Sequence, residues 1–307
     1  MLEFKKQKIP IKLHMGERKN KNYVDPIFIK LIVDELKGIE ADPFLFDTTV
    51  AYSSLRNTKI GYKILAVING FLKTGCKVII GNKGKTVVIE NNKFEIANEL
   101  IETSNILVVS HVTGHSLAGF GGAIKNLGMG GVSKKTKIKI HSGSKPVFIQ
   151  DRCVFCGLCE ESCVSNAITV DKKNWRINSK HCPGCGNCIA NCPNDALKAR
   201  DIVLQKALAL STKAIVQHKK AIYVNVLKNI TPVCDCVASN IDPLCSDIGY
   251  LISNDPVAID KASIDLVNKH MKSDNIFKKI TGVDPMMQIY YGEKIDLGSI
   301  QYRLIEL

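Results

Sequence analysis

The chain has 307 residues, 45% of them apolar and 23% charged, a globular balance long enough for one large or two ordinary domains. No run approaches a membrane span, "ILAVINGFL" being too short, and "MLEFKKQKIPIKL" lacks the apolar stretch and small-residue cleavage site of a signal peptide, so a cytoplasmic protein with no membrane contact is expected. The formal charge of +13 would suit a nucleic-acid partner, but only six basic residues are Arg, aromatics are 6%, and no base-stacking motif is present, so an acidic redox partner or an anionic small molecule fits better.

Elements follow in chain order. "KIPIKLH" alternates and predicts a strand ending near His14. "DPIFIKLIVDELKG" predicts a helix with Asp25 as N-cap, Pro26 in its first turn and Gly38 just past its end. "PFLFD" is a short buried strand ending at Asp47, "NTKIGYKILAVINGF" a helix, "KVIIG" and "TVVIE" strands, and "KFEIANELIETS" a helix. "NILVVSH" is a buried strand ending at His111. After residue 200, "DIVLQKALALSTKAIVQHKK" is a helix, "AIYVNVL" and "GYLIS" are strands, and Asp255 and Pro256 open a helix reaching about Met271. "MMQIYYGEKI" and "IQYRLIEL" have strand character. The alternation predicts an α/β fold, a mostly parallel sheet flanked by helices. Residues 1–146 and 201–307 are expected to share one discontinuous α/β domain, with a small α+β module at 147–200 inserted between them.

Twelve cysteines in a reducing compartment point to metal or redox chemistry rather than disulfides. Eight of them form an internal repeat: Cys153, Cys156, Cys159 and Cys163 recur as Cys182, Cys185, Cys188 and Cys192, each shifted by 29 residues. Gaps of two residues let three thiolates wrap one face of a cubane, and a fourth must come from elsewhere. The module resembles the bacterial two-cluster ferredoxins. That resemblance implies two 4Fe–4S clusters, one on Cys153, Cys156, Cys159 and Cys192, the other on Cys182, Cys185, Cys188 and Cys163. Each cluster with its thiolates carries a net −2 when oxidised, which lowers the total charge to roughly +9. Val164 stands where ferredoxins usually have the proline seen at Pro193. Paired zinc sites are the competing reading, though zinc sites rarely use this pattern twice.

A weaker constellation lies elsewhere. His14, Asp47 and His111 fall at the C-terminal ends of predicted strands, where open parallel sheets build sites. His115 follows His111 by four residues, in a helical turn or a loop. "GFGGAIKNLGMGG" matches neither a P-loop nor a dinucleotide fingerprint; it reads as an anion nest in which Gly119, Gly121 and Gly122 open a helix with Lys125 nearby, or as a tight packing turn. "KKTKIKIH" at 134–141 reads as a solvated lysine face. Cys234 and Cys236, in "CDC", could bind a metal, form a redox pair or pack as small hydrophobes; Cys245 is a weaker third member, and Cys76 is structural.

These stretches, with "IKLHMGE", "FLFDTTVAY", "SHVTGHSLAGFGGAIKNLGMG", "HSGSKP" and "DIGYLISNDPVAIDKASIDLV", resemble domain of unknown function 362, an iron–sulfur family without an assigned reaction. The resemblance implies an α/β domain with a ferredoxin-like insert and a second polar centre using His111, His115 and, with them, His14, Asp47 and Asp260. The expected function is oxidoreductase chemistry of anaerobic metabolism: single electrons pass from a soluble redox partner through the clusters to that centre. There His111, His115, His14, Asp47, Cys234 and Cys236 would act, and the glycine-rich loop would hold an anionic substrate or cofactor. A dedicated electron carrier, or a metal-transfer factor using Cys234 and Cys236, are the alternatives, and a further metal or a flavin is left open.

Overall fold

The computed structural model describes residues 4–306. Six strands form the main sheet: β1 (Lys8–Lys12), β2 (Asp42–Thr48), β3 (Lys77–Gly81), β4 (Asn105–His111), β5 (Lys220–Leu227) and β6 (Gly249–Ser253). Their spatial order is β3-β2-β1-β4-β5-β6, with β6 antiparallel and the other pairings parallel. This is the doubly wound order, and it reverses direction between β1 and β4.

Strand periodicity explains the layering. Phe44, Phe46, Ile106, Val108 and Tyr223 enter one core, together with helices α3 (Ala123–Gly130), α5 (Leu204–Val216) and α6 (Pro256–His270). Alternate residues Leu45, Leu107, Val109, Val224 and Val226 enter the other, against α1 (Pro26–Gly38) and α2 (Lys59–Ile68). Both faces are therefore apolar, as a parallel sheet between helical layers requires. Among the described residues no helix is long and apolar enough to cross a membrane.

The N-caps match expectation: Asp25 accepts from the Ile27 amide, and Asp255 from those of Val257 and Ala258. Four elements differ. Gly38 lies inside α1, and the left-handed residue after the helix is Glu40, at φ 62°. "KFEIANEL" forms a strand, Asn92–Ala97, hairpinned on Gly84–Ile89, before a short helix, Asn98–Ile101. Phe94, Ile96, Ala97 and Leu100 satisfy both periods, and the antiparallel partner decides. "MMQIYYGEK" is a helix, Met286–Lys294, not a strand. Its buried Gln288 donates to the Ala118 and Phe120 carbonyls, a tertiary contact that overrides the β preference of Ile289, Tyr290 and Tyr291. The strand character expected of "IQYRLIEL" is not realised: residues 301–306 are exposed, pair with no described strand and have no regular structure, and Leu307 lies outside the described residues.

The cysteine-rich segment enters and leaves along one antiparallel pair, Pro146–Phe148 with Leu197–Ala199. Its backbone repeats as its sequence does. Phe155, Gly157 and Asn166 have φ of 54°, 80° and 49°, and Gly184, Gly186 and Asp195, 29 residues later, have 72°, 79° and 49°. The short helices Leu158–Glu161 and Asn187–Ala190 are the same equivalent pair. Ile168, Leu197, Phe148 and Trp175 make its small core, the two rings stacked at 4.8 Å.

Candidate functional site

A cavity of about 580 Å³ opens at the C-terminal ends of β1, β2 and β4, at the reversal point of the sheet. It gathers His14, Asp47, His111, His115, Gly121, Gly122, Lys125, Cys234 and Cys236, which lie scattered along most of the chain. Cys182 and Pro183 of the cysteine-rich segment line the same cavity.

The floor is a charge network. Lys12, 1% exposed, pairs with Asp47 at 3.1 Å and donates to Asn126 Oδ1 at 2.7 Å. Arg56 lies 3.4 Å from Asp47, and the Tyr62 hydroxyl also donates to that carboxylate. Burial pushes the Asp47 pKa up, but Lys12, Arg56 and Lys137 outweigh it and hold Asp47 below the ordinary carboxylate range. Asn126 Nδ2 donates to the Val109 carbonyl and Ser110 Oγ, both at 3.0 Å, tying α3 across the reversal point.

The three histidines differ. His111 has its Nδ1 2.7 Å from Asp235 Oδ1 and its Nε2 2.8 Å from the Lys228 carbonyl. Both partners are acceptors, so both nitrogens donate and the ring is an imidazolium. Burial lowers its pKa, but Asp235 and the backbone carbonyls raise it further. His111 thus anchors the "CDC" loop through Asp235; it has no free nitrogen for the proton donation expected of it. His14 and His115 are alike in the opposite sense. His14 Nδ1 accepts from the Gly16 amide at 3.1 Å, and His115 Nδ1 from the Leu117 and Ala118 amides at 3.2 and 3.1 Å. Burial first, then nearby Lys125, holds His115 well below the ordinary histidine value, and His14 is held well below it by burial and then Arg56. Both rings are neutral at pH 7, and each carries its proton on Nε2.

His111 and His115 do not share a helical turn. His115 ends a hairpin, Thr113–His115 with Gly119–Gly121. Gly114 between the histidines lets the cysteine loop approach: its amide donates to the Thr231 carbonyl at 2.8 Å, and a Cβ there would lie 2.1 Å from the Pro232 carbonyl oxygen. Cys234 and Cys236 are joined by a disulfide, and together with His115 they place one ligand-type atom each within 4.8 Å of one another.

The glycine-rich loop is not a free anion nest. The first α3 amides, Ala123 and Ile124, donate to Asp260 at 2.6 and 2.9 Å, so the helix N-terminus already holds a carboxylate. Asp260 is fully buried, its pKa pushed up to about 6 by burial against these hydrogen bonds, and it does not line the cavity. Gly119, at φ 77°, packs beneath Val283 and Pro285. Gly121, Gly122 and Lys125 do line the cavity. Lys125 has no hydrogen-bond or ion-pair partner among the described residues, and burial lowers its pKa to about 8.

Contributors not singled out from sequence include Lys12, Arg56, Asn126, Lys137 and His141. "KKTKIKIH" is not wholly a solvated face. It lies on helix α4 (Lys134–Gly143), whose Lys137 turns inward to donate to Thr48 Oγ1 at 2.6 Å and the Thr49 carbonyl at 2.8 Å. Burial lowers the Lys137 pKa to about 7. Cys245 packs against the core away from the cavity, and Cys76 is buried with its thiol 3.0 Å from the Pro43 carbonyl.

In the cysteine-rich segment all eight thiols are free. Cys153, Cys156, Cys159 and Cys192 line one small cavity of about 20 Å³. Burial first, then the charges of nearby Cys185, Cys182, Cys163 and Cys159, pushes the Cys188 pKa up. Amides point at sulfur: Phe155 to Cys153 at 3.3 Å, and at equivalent repeat positions Ala167 to Cys163 and Ala196 to Cys192, both at 3.2 Å. Free thiols gathered in this way, with amides aimed at sulfur, fit an iron–sulfur centre. The segment docks through its second half. Gln205 Nε2 donates to the Cys185 carbonyl at 3.0 Å and the Leu117 carbonyl at 3.1 Å, and Asn187 Nδ2 to the Gly282 carbonyl at 3.0 Å.

The chain is similar to known proteins over different parts of its length. Over 57 residues the chain is 30% identical to Ferredoxin-1 of Chlorobaculum tepidum, which is 17% of this chain and 92% of that protein. Over 59 residues it is 37% identical to the polyferredoxin protein MvhB of Methanothermus fervidus, 19% of this chain and only 14% of that protein's length. The lactate racemase apoprotein of Thermoanaerobacterium thermosaccharolyticum is similar over 88% of this chain and 51% of its own, at 14% identity and a TM-score of 0.46. A family model described as Domain of unknown function (DUF362) matches residues 9–265, both strand-rich parts and the segment between them, and the chain belongs to that family.

Proposed function

We propose that this chain is an iron–sulfur oxidoreductase that passes single electrons from a redox partner to an anionic substrate in the cavity of its α/β domain. Cys153, Cys156, Cys159 and Cys192 would hold one 4Fe–4S cluster, and Cys182, Cys185, Cys188 and Cys163 the other. The clusters supply one-electron transfer; binding and protons are the work of the surrounding side chains. Residues 147–200 act as the inserted electron-transfer module, and residues 1–146 and 201–307 as the substrate domain. A reducing cytoplasmic setting suits the free thiols.

The observation that carries this reading is Cys182, a proposed cluster ligand that also lines the cavity holding His14, His115, Lys125 and Cys234. A dedicated carrier would need the module alone and would leave a cavity of about 580 Å³ without a use. The lining suits an anion: Lys12, Arg56, Lys125 and Lys137 line the cavity with two acidic residues, Asp47 and Asp235, and His115 offers an Nε2–H donor.

The test is reoxidation. Dithionite-reduced protein should be reoxidised anaerobically by one class of small anion and not by buffer. His115→Ala should lose that reoxidation while keeping its iron and sulfide. Reoxidation that no small molecule accelerates, in protein with full clusters, would leave the carrier reading standing.

A further inference from the structure

Two sulfurs and an imidazole meet in the cavity that Cys182 also lines. Cys234 and Cys236 are disulfide-bonded, on a loop fixed by the His111–Asp235 pair and by Gly114 against Pro232. His115 brings a ring nitrogen within 4.8 Å of both sulfurs. Because the Leu117 and Ala118 amides hold its Nδ1 as an acceptor, its other nitrogen carries hydrogen. The ring therefore offers Nε2 as an N–H, a donor that sulfur can accept from and that has no lone pair for a metal. The surrounding Lys12, Arg56, Lys125 and Lys137 also favour negative charge appearing on sulfur over a divalent cation.

Resting on the electron-transfer reading above, we infer that the Cys234–Cys236 disulfide is a redox-active pair, reduced to a dithiol by electrons delivered one at a time through the module. The S–S bond breaks, each sulfur gains one electron and one proton, and two S–H bonds form. A low-potential one-electron donor is the reductant, and two clusters hold the two electrons this needs. The His115 N–H hydrogen-bonds the departing sulfur, and Lys125, within electrostatic reach of His115 and Asp235, supplies a proton with solvent. The dithiol then returns two electrons and two protons to an anionic acceptor in the cavity and closes again to the disulfide.

The experiment uses anaerobic, cluster-loaded full-length protein. It is reduced with methyl viologen radical, quenched in acid and alkylated, and the segment spanning residues 231–245 is read by mass spectrometry. Cys234 and Cys236 should be unlabelled before reduction and both labelled after it. Reductive titration should consume about four electrons per chain, against about two in Cys234→Ser/Cys236→Ser. His115→Ala should slow the labelling, and His115→Gln, which keeps an N–H donor, should restore part of it. Cys163→Ala, which removes a ligand of the proposed cavity-side cluster, should abolish it. A loaded module whose reduction leaves both cysteines unlabelled overturns the disulfide role alone. So do cysteines already free in oxidised protein, or a tightly held metal ion released when both are replaced. A chain that binds neither iron nor sulfide overturns the electron-transfer reading, and this route with it.

Discussion

Gln205 holds Cys185: its side-chain amide donates to that carbonyl at 3.0 Å, and the same nitrogen reaches the Leu117 carbonyl at 3.1 Å. Gln205 is fully buried, so one side chain joins the second half of the cysteine repeat to the loop that fixes His115. Gln205→Leu would leave two buried carbonyls without this donor. A loss of about 1–3 kcal/mol is expected in urea unfolding, with slower reoxidation and unchanged iron content. Full stability would mean that water or another side chain replaces the amide.

Gly184 should tolerate nothing larger. It sits at φ 72°, and a Cβ would lie 2.3 Å from the His141 carbonyl oxygen of the α/β domain. Strain and clash together make Gly184→Ala cost at least about 1–3 kcal/mol. Limited proteolysis should then cut between module and domain sooner than in the parent.

Asp260 gives a pH signature. Its folded pKa, about 6, lies above its unfolded value, so the folded state binds the extra proton between roughly pH 4 and 6. Its contribution to stability is greatest at the acid end and declines as pH rises through that window. Denaturant midpoints at pH 4 and 7 in the parent and Asp260→Asn should differ in slope with this sign. Asp260→Ala should cost about 2–4 kcal/mol, since the Ala123 and Ile124 amides and Asn225 lose their acceptor.

Anion binding in the cavity should weaken with rising pH. Lys137, at about 7, discharges first, and Lys125, at about 8, follows. Calorimetric titration with sulfate, whose charge is constant over this range, should show affinity falling between roughly pH 6 and 9, with Lys125→Met flattening the upper part. An affinity flat across that range would remove the lysines from anion recognition.

Much of this architecture was legible in local pattern. The 29-residue repeat reappears in paired backbone angles, and His14, Asp47 and His111 do sit at strand ends beside one cavity. What was hidden depends on long-range partners. Lys12 and Lys137 look like surface lysines until Asp47 and Thr48 are brought to them. The α3 N-terminus looks like an anion site until Asp260, from over a hundred residues away, fills it. His111 and His115 look interchangeable in sequence; Asp235 and the Leu117 amide make one a cationic anchor and the other a neutral donor. No local period carries that information.

The most direct test of the central claim is total iron and acid-labile sulfide in anaerobically purified protein, with EPR after reduction. About eight iron and eight sulfide per chain are expected, with signals of two reduced 4Fe–4S clusters. Cys163→Ala should lower both counts to about four, leaving the cluster on Cys153, Cys156, Cys159 and Cys192. Two zinc ions per chain, with no sulfide and no EPR signal, would contradict it.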